Sequence, residues 1–246
     1  MATVALLIVR TAEQSTPVTA ITELMLASFS IAVPAVACAL PVALLVALFA
    51  VAYCPRALRH RARDVVFVLS SCPPILWALA AVLVAFPALA TLGVPPLSAS
   101  TQCVLTLALV VTPPLATSFV EQLRALPDEL VFAGRALGGS TFSVHWRVLL
   151  PAILPAACRS VCVALVRALG EGIALYVVLG AAADPQSLAA HLVLSLLGDD
   201  PDLARAGFAA GALMLVVTSL ALLSLVHAVT LGWNDRAGKL ESMSST

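Results

Sequence analysis

Long uncharged stretches alternate along this chain with short charged clusters. Segments 24–55 and 206–233 carry no charged side chain, and neither does 65–120. The last of these is too long for one membrane helix, but the turn 93–96, Gly-Val-Pro-Pro, divides it in two. About 20 apolar residues cross the hydrocarbon core of a bilayer. The pattern therefore predicts five membrane spans, at 24–53, 65–91, 98–119, about 152–180 and 206–233.

Composition supports an all-α, polytopic membrane protein. Of the 246 residues 61% are hydrophobic and only 11% are charged, and the mean hydropathy is +1.07. These values are far from those of a water-soluble domain. The 13 basic residues balance the 13 acidic ones, which gives no reason to expect a nucleic-acid partner.

Catalytic and metal-binding patterns are missing from the sequence. The six cysteines and four histidines follow no metal-ligand spacing, and no spans carry the residues of an intramembrane protease. The chain also lacks a G-x-x-x-x-G-K-[ST] phosphate-binding loop, so it is not itself an ATPase. We therefore expect neither a cofactor, nor a metal, nor a catalytic residue, and any energy source must be a partner.

Basic residues predict the orientation, since Lys and Arg are retained on the cytoplasmic side. They gather after the first predicted span, after the third and in the tail: Arg56, Arg59, Arg61, Arg63, Arg124, Arg135, Arg147, Arg236 and Lys239. When the chain is threaded through the membrane in five spans, all three groups of basic residues lie on the same side. The sequence thus predicts an extracytoplasmic segment at 1–23, a membrane domain at 24–233 with a cytoplasmic loop at about 120–152, and a cytoplasmic tail at 234–246.

The loop 120–152 has the sequence pattern of two short helices. Pro127 suits a first helical position, and the acidic residues that follow it suit the first turn. Gly138-Gly139 then predicts a helix end in a left-handed conformation, and Ser140 or Thr141 predicts the cap of a second helix. Phe142, Trp146 and Leu149 are expected on one face of that helix. Such a loop is either a docking device for a protein partner or an amphipathic segment on lipid headgroups.

Two charges interrupt the fourth predicted span. Arg167 and Glu171 lie four residues apart, and a charge at the bilayer centre costs about 2.5–3.5 kcal/mol on insertion scales. A helical pair recovers only about 0.2–0.5 kcal/mol. We therefore interpret both as substrate-path residues, with Arg167 offering planar donors to an oxyanion and Glu171 orienting or releasing it. The alternative is a static ion pair that fixes helix packing.

A family resemblance joins the loop and the fourth span. The run 136–140, Ala-Leu-Gly-Gly-Ser, followed by Leu150-Pro151-Ala152, resembles the cytoplasmic signature of binding-protein-dependent ABC importer permeases, and 167–171, Arg-Ala-Leu-Gly-Glu, is similar to phosphate-permease subunits. The loop departs from the signature at Phe132, where the family has an acidic residue. The resemblance implies a type I permease core that docks an ATPase through Ala136, Leu137, Gly138, Gly139, Leu150 and Pro151.

The same resemblance implies partners and a function. The expected partners are ATPase subunits, a second permease subunit, an extracytoplasmic substrate-binding protein and membrane lipid. The expected function is ATP-driven import of phosphate across the plasma (inner) membrane. Import of another oxyanion, such as sulfate or molybdate, and a non-transporting sensor or scaffold role remain the alternatives.

Overall fold

The computed structural model describes residues 18–55, 57–179, 189, 212–224 and 227–228. All regular secondary structure in those ranges is helical, which confirms the all-α prediction. The helices are α1 Val18–Leu48, α2 Arg59–Ser71, α3 Pro74–Ala80, α4 Phe86–Thr91, α5 Ala99–Ala125, α6 Asp128–Ala136, α7 Thr141–Val144, α8 Leu150–Gly170, α9 Gly172–Leu179 and α10 Ala212–Ser224. Three π-helical segments lie between them, at Phe49–Tyr53, Ala81–Ala85 and His145–Leu149.

Four helical stretches in the described residues are long and apolar enough to cross a membrane. They are Glu23–Tyr53, Pro74–Thr91, Ala99–Ala125 and Thr141–Gly170. The first and third agree with the predicted spans to within a few residues at most ends. The fifth predicted span, 206–233, lies partly outside the described residues, and α10 within it is an apolar helix shorter than a span.

The predicted start of the second span at residue 65 is wrong. Helix α2 ends at Ser71, and the apolar span begins only at Pro74. Pro73 has φ −57° and ψ 140°, and Pro74 occupies the first turn of α3. The residue before a proline is driven out of the helical region, so two consecutive prolines separate the helices here.

The bounds of the fourth predicted span are also wrong. The helix continues without interruption from Thr141 to Gly170, through Pro151, where the sequence predicts a boundary between loop and membrane. It breaks at Glu171 and resumes as α9, which runs to Leu179, so the predicted span contains a break that the sequence did not indicate.

Each π segment in the described residues ends two residues before a proline: Pro55, Pro87 or Pro151. In each segment the closing backbone bond spans five residues rather than four, as in the bond from Leu150 N to the His145 carbonyl. A proline ring clashes with the carbonyl four residues earlier in an α-helix. The wider π turn moves that carbonyl aside. At Pro151 this arrangement accommodates the proline within a continuous helix.

The chain forms two compact units, which share the longer helices. The first contains described residues of 18–38, 72–111, 165–179, 189 and 212–220. Helix α9 packs on α3 in this unit. Its buried cluster comprises Ala78, Val110 and Ala174, with Trp77, Val177 and Val178 packed against it. Small side chains let these apolar helices approach closely.

The second unit contains described residues of 39–71, 112–164, 221–224 and 227–228. Hydrogen bonds from one polar side chain join two of its helices. The Gln122 side chain of α5 donates from Nε2 to the Ala156 carbonyl of α8 at 3.2 Å and to Ser160 Oγ at 2.6 Å. The Gln122 Oε1 atom is buried and has no hydrogen-bond partner among the described residues.

Candidate functional site

Helix α8 breaks at a single charged residue. It ends at Gly170 and α9 begins at Gly172, which leaves Glu171 between them. The Glu171 N–H donates to the Ala168 carbonyl at a long 3.4 Å, while its Oε1 accepts from the Ala174 N–H at 3.3 Å. Glu171 therefore caps the first turn of α9.

A cavity of about 570 Å³ adjoins this break. It also adjoins the break before α3, so the N-termini of two helices face the same space. The described lining residues are Pro73, Pro74, Ile75, Gly170, Glu171, Gly172, Ile173, Ala189 and Leu215. Among them only Glu171 is ionisable. Irregular backbone at membrane depth is tolerated where it lines a cavity, and in transporters such breaks mark substrate sites.

Arg167 lies one helical turn before Glu171 and is exposed. It does not line the cavity. Within the described part of the chain, neither Arg167 nor Glu171 is in an ion pair, although the guanidinium is near enough to act on the carboxylate electrostatically. The two predicted substrate-path residues are thus brought to one helix end but not into direct contact.

The first helix of the loop 120–152 ends as the sequence predicts. Gly138 has φ +80°, and its N–H donates to the Arg135 carbonyl at 2.9 Å. The Gly139 N–H donates to the Gly134 carbonyl at 3.1 Å. These two bonds form a Schellman motif, which satisfies the last carbonyls of α6. The predicted left-handed conformation of Gly138 is confirmed.

The second loop helix also begins where predicted. The Ser140 hydroxyl accepts from the Ser143 N–H at 3.2 Å, so Ser140 is the cap of α7. Phe142 and Trp146 stack, with ring centroids 6.0 Å apart and an interplanar angle of 8°. The prediction that Leu149 shares their face is wrong, because Leu149 is buried. The π segment has more residues per turn and rotates Leu149 away from the aromatic pair.

Large apolar side chains are exposed on this loop. Leu137 is 90% exposed and Phe132 67%, and the stacked Phe142 and Trp146 are also exposed. Of the remaining predicted docking residues, Ala136, Gly138 and Pro151 are exposed, and Gly139 and Leu150 are half-buried. Exposed apolar residues gathered in this way mark a surface that another protein or a membrane covers.

Sequence reasoning missed how closely α6 and α7 pack. A Cβ atom on Gly139 would lie 2.7 Å from the Gly134 carbonyl oxygen, and a Cβ on Gly134 would lie 2.9 Å from Val144 Cγ2. Both positions therefore need glycine for space. Two glycines five residues apart across a predicted helix end were the available signal.

Comparisons with known proteins agree with this geometry. Residues 39–232 match the family described as binding-protein-dependent transport system inner membrane component. The match covers most of the chain, which therefore belongs to this family of ABC importer permeases and is a membrane subunit rather than the ATPase. No curated protein matches the sequence.

Solved structures share the fold at low sequence identity. An amino acid ABC transporter crystallised with histidines is 15% identical, with a TM-score of 0.64 over 85% of this chain and 92% of that one. The MetNI methionine ABC transporter in inward-facing conformations is 18% identical, with a TM-score of 0.65 over 89% and 99% of the two chains. At these identities the similarity concerns the fold alone.

Proposed function

We propose that this permease subunit imports phosphate and that the substrate path passes the break between α8 and α9. The observation that carries the proposal is the cavity beside Glu171, which is lined by the first residues of α9 and of α3. A helix N-terminus carries a partial positive charge and binds anions. Broken membrane helices direct these ends at anionic substrate groups in transporters.

Arg167 and Glu171 have different roles in this proposal. The Arg167 guanidinium is exposed and free of ion pairs among the described residues, so its planar donors are available to a passing oxyanion. The Glu171 carboxylate already accepts the Ala174 N–H, and its negative charge repels the anion. Glu171 therefore limits how tightly phosphate is held and favours release.

The cytoplasmic loop would transmit ATP hydrolysis to the permease. The surface formed by Leu137, Phe142 and Trp146 suits insertion into an ATPase subunit, and the Schellman motif at Gly138 holds it in one shape. The complex would contain two permease subunits, ATPase subunits and an extracytoplasmic binding protein. The N-terminus would lie outside and the tail in the cytoplasm of a cell with an inner membrane.

One observation favours a second substrate class. Glu171 is the only ionisable residue among those described around the cavity, and the rest of the lining is apolar. A carboxylate in such a site attracts an ammonium group, since opposite charges interact strongly away from water. A small amino acid is therefore the second candidate.

Uptake into proteoliposomes that contain the permease, its ATPase and ATP, with the binding protein outside, tests the proposal. ATP-dependent uptake of labelled phosphate that unlabelled phosphate suppresses, and that sulfate, molybdate and amino acids do not, supports it. Suppression by sulfate or molybdate broadens the substrate to other oxyanions. Uptake of an amino acid in place of phosphate assigns the second candidate. A complex that assembles and hydrolyses ATP without uptake of either is a sensor or scaffold.

A further inference from the structure

A second cavity, of about 470 Å³, lies in the unit that contains the cytoplasmic loop. It is lined by the π segment Phe49–Tyr53, the start of α2, the C-terminal end of α5, the loop helix α6 and the π segment His145–Leu149. The lining residues include three arginines, Arg59, Arg124 and Arg135, together with His60, His145 and Asp128. Three arginines against one aspartate give a net charge of +2 with neutral histidines.

The three arginines of this cavity form no ion pair with an acidic residue in the part of the chain that the structure describes. Within the described residues the only hydrogen bond that one of the three guanidinium groups donates runs from Arg59 Nε to the Cys54 carbonyl at 3.1 Å. Like charges that converge on one space repel each other. An anion in the cavity would relieve that repulsion.

A buried histidine completes the wall. His145 is only 7% exposed, and its Nδ1 lies 2.7 Å from the Thr141 carbonyl oxygen. A carbonyl can only accept, so Nδ1 carries the proton. The other ring nitrogen, Nε2, has no partner among the described residues.

We infer that this cationic cavity binds a phosphate group, either free or on the headgroup of an anionic lipid. Arginine guanidinium groups match the geometry of phosphate oxygens, and a basic pocket at the cytoplasmic end of membrane helices suits lipid phosphate. The site is separate from the proposed substrate cavity and shares no lining residue with it. Since the loop helix α6 and the ends of α2 and α5 line it together, a bound phosphate group would hold α6 against these helices.

Binding to the full chain in detergent tests the inference. Two probes are used: labelled inorganic phosphate in equilibrium dialysis, and phosphatidylglycerol in native mass spectrometry, with phosphatidylcholine for comparison. Each of Arg124→Gln and Arg135→Gln should weaken binding about tenfold, as expected for the loss of one charge-assisted hydrogen bond. Arg63→Gln is the matched control, because Arg63 is an exposed arginine of α2 that does not line the cavity.

The variant Asp128→Asn is a control for loss of binding through misfolding. Removing the single carboxylate of the wall should tighten binding by about threefold, the effect of one charge at roughly 6 Å in water-like surroundings. A misfolded variant cannot bind more tightly.

The two probes separate the two sources of phosphate. Variant-sensitive binding of phosphatidylglycerol, with little binding of phosphatidylcholine, identifies a lipid. The same sensitivity with inorganic phosphate alone identifies the free anion. The inference is overturned if neither probe binds, if Arg63→Gln weakens binding as much as the cavity variants do, or if phosphate binds equally to all variants, as it would at the substrate path.

Discussion

Helices α6 and α8 end in opposite ways. At the end of α6 the chain turns through Gly138 with φ +80°, and two short backbone bonds satisfy the last carbonyls. At the end of α8 no described residue has positive φ, the backbone bond from the Glu171 N–H to the Ala168 carbonyl is long at 3.4 Å, and the Glu171 carboxylate accepts from the Ala174 N–H. A helix end whose last carbonyls are hydrogen-bonded holds the loop surface beside it in one shape. A helix end without such bonds is not held in one shape by its own backbone.

The largest expected effect comes from the charge beside the end of α8. Arg167→Ala should lower phosphate uptake at least about tenfold, because a charge-assisted hydrogen bond contributes about 1.5–3 kcal/mol. Arg167→Lys keeps the charge but loses the planar fork, so uptake should fall less. Uptake into proteoliposomes is the measurement. Arg159→Ala, which removes an exposed arginine two turns earlier in α8, is the control and should leave uptake unchanged.

A double variant decides between substrate path and static pair. If the two charges serve only to pair, Arg167→Ala and Glu171→Ala should each destabilise, and the combination should regain both stability and transport. If Arg167 contacts substrate, the combination stays inactive. Recovery of transport in the double variant would remove this end of α8 from the substrate path.

Gly138, at the end of α6, can be compared with a second glycine in the same conformation at the end of α4. Gly93 has φ +78°, ends α4 with the same two backbone bonds, and like Gly138 has nothing within 4 Å of the position that a Cβ atom would take. Gly93→Val and Gly138→Val should therefore destabilise by a similar amount, about 1–2 kcal/mol. Only Gly138→Val should also lower the amount of ATPase that co-purifies. Equal loss of ATPase from both variants would mean that stability alone, and not docking, is affected.

The Ser140 cap at the start of α7 also helps to hold the end of α6 in shape, and its loss should destabilise the protein less. Ser140→Ala removes the hydroxyl that accepts from Ser143 N–H and should destabilise by about 1 kcal/mol, the usual effect of losing such a cap. Ser140→Asp restores an acceptor and should return most of the stability. Thermal unfolding in detergent measures both. An unchanged midpoint in Ser140→Ala would show that the cap does not support the loop.

The smallest effect is expected at the end of α8 itself. Gly170 has an ordinary backbone conformation and nothing within 4 Å of a Cβ position, so Gly170→Ala should be neutral or stabilise by about 0.5–1 kcal/mol. Gly138→Ala at the end of α6 should destabilise. If Gly170→Ala instead destabilises as strongly as Gly138→Ala, the contrast between the two helix ends is not real.

The same contrast explains what the sequence could predict. The end of α6 and the start of α7 depend on local residues, Gly138 and Ser140, whose conformational preferences are strong, and both predictions are confirmed. The break at Glu171 was missed because apolar residues continue on both sides of it. Gly170 and Gly172, which flank Glu171, were the only local signal.

Tertiary structure and π turns account for the other differences between the sequence-based predictions and the structure. Pro151 is a helix boundary by the usual rule, but the π segment that precedes it removes the clash and lets the helix continue. The cationic cavity could not be predicted, because Arg59 of α2 lies far in the sequence from Arg124 and Arg135 at the end of α5 and in α6. Hydropathy predicts where helices are, but not which charged residues they bring together.

The hydrogen bonds of Gln122 restrict how α5 and α8 can move past each other. An amide that donates to both Ala156 and Ser160 fixes the register of α5 on α8, since a slide of one turn would leave the donors without partners in an apolar setting. Alternating access requires some helices to move past others. A movement of α5 along α8 would have to break both bonds of Gln122, so we expect the stretches of α5 and α8 around this amide to move together during transport.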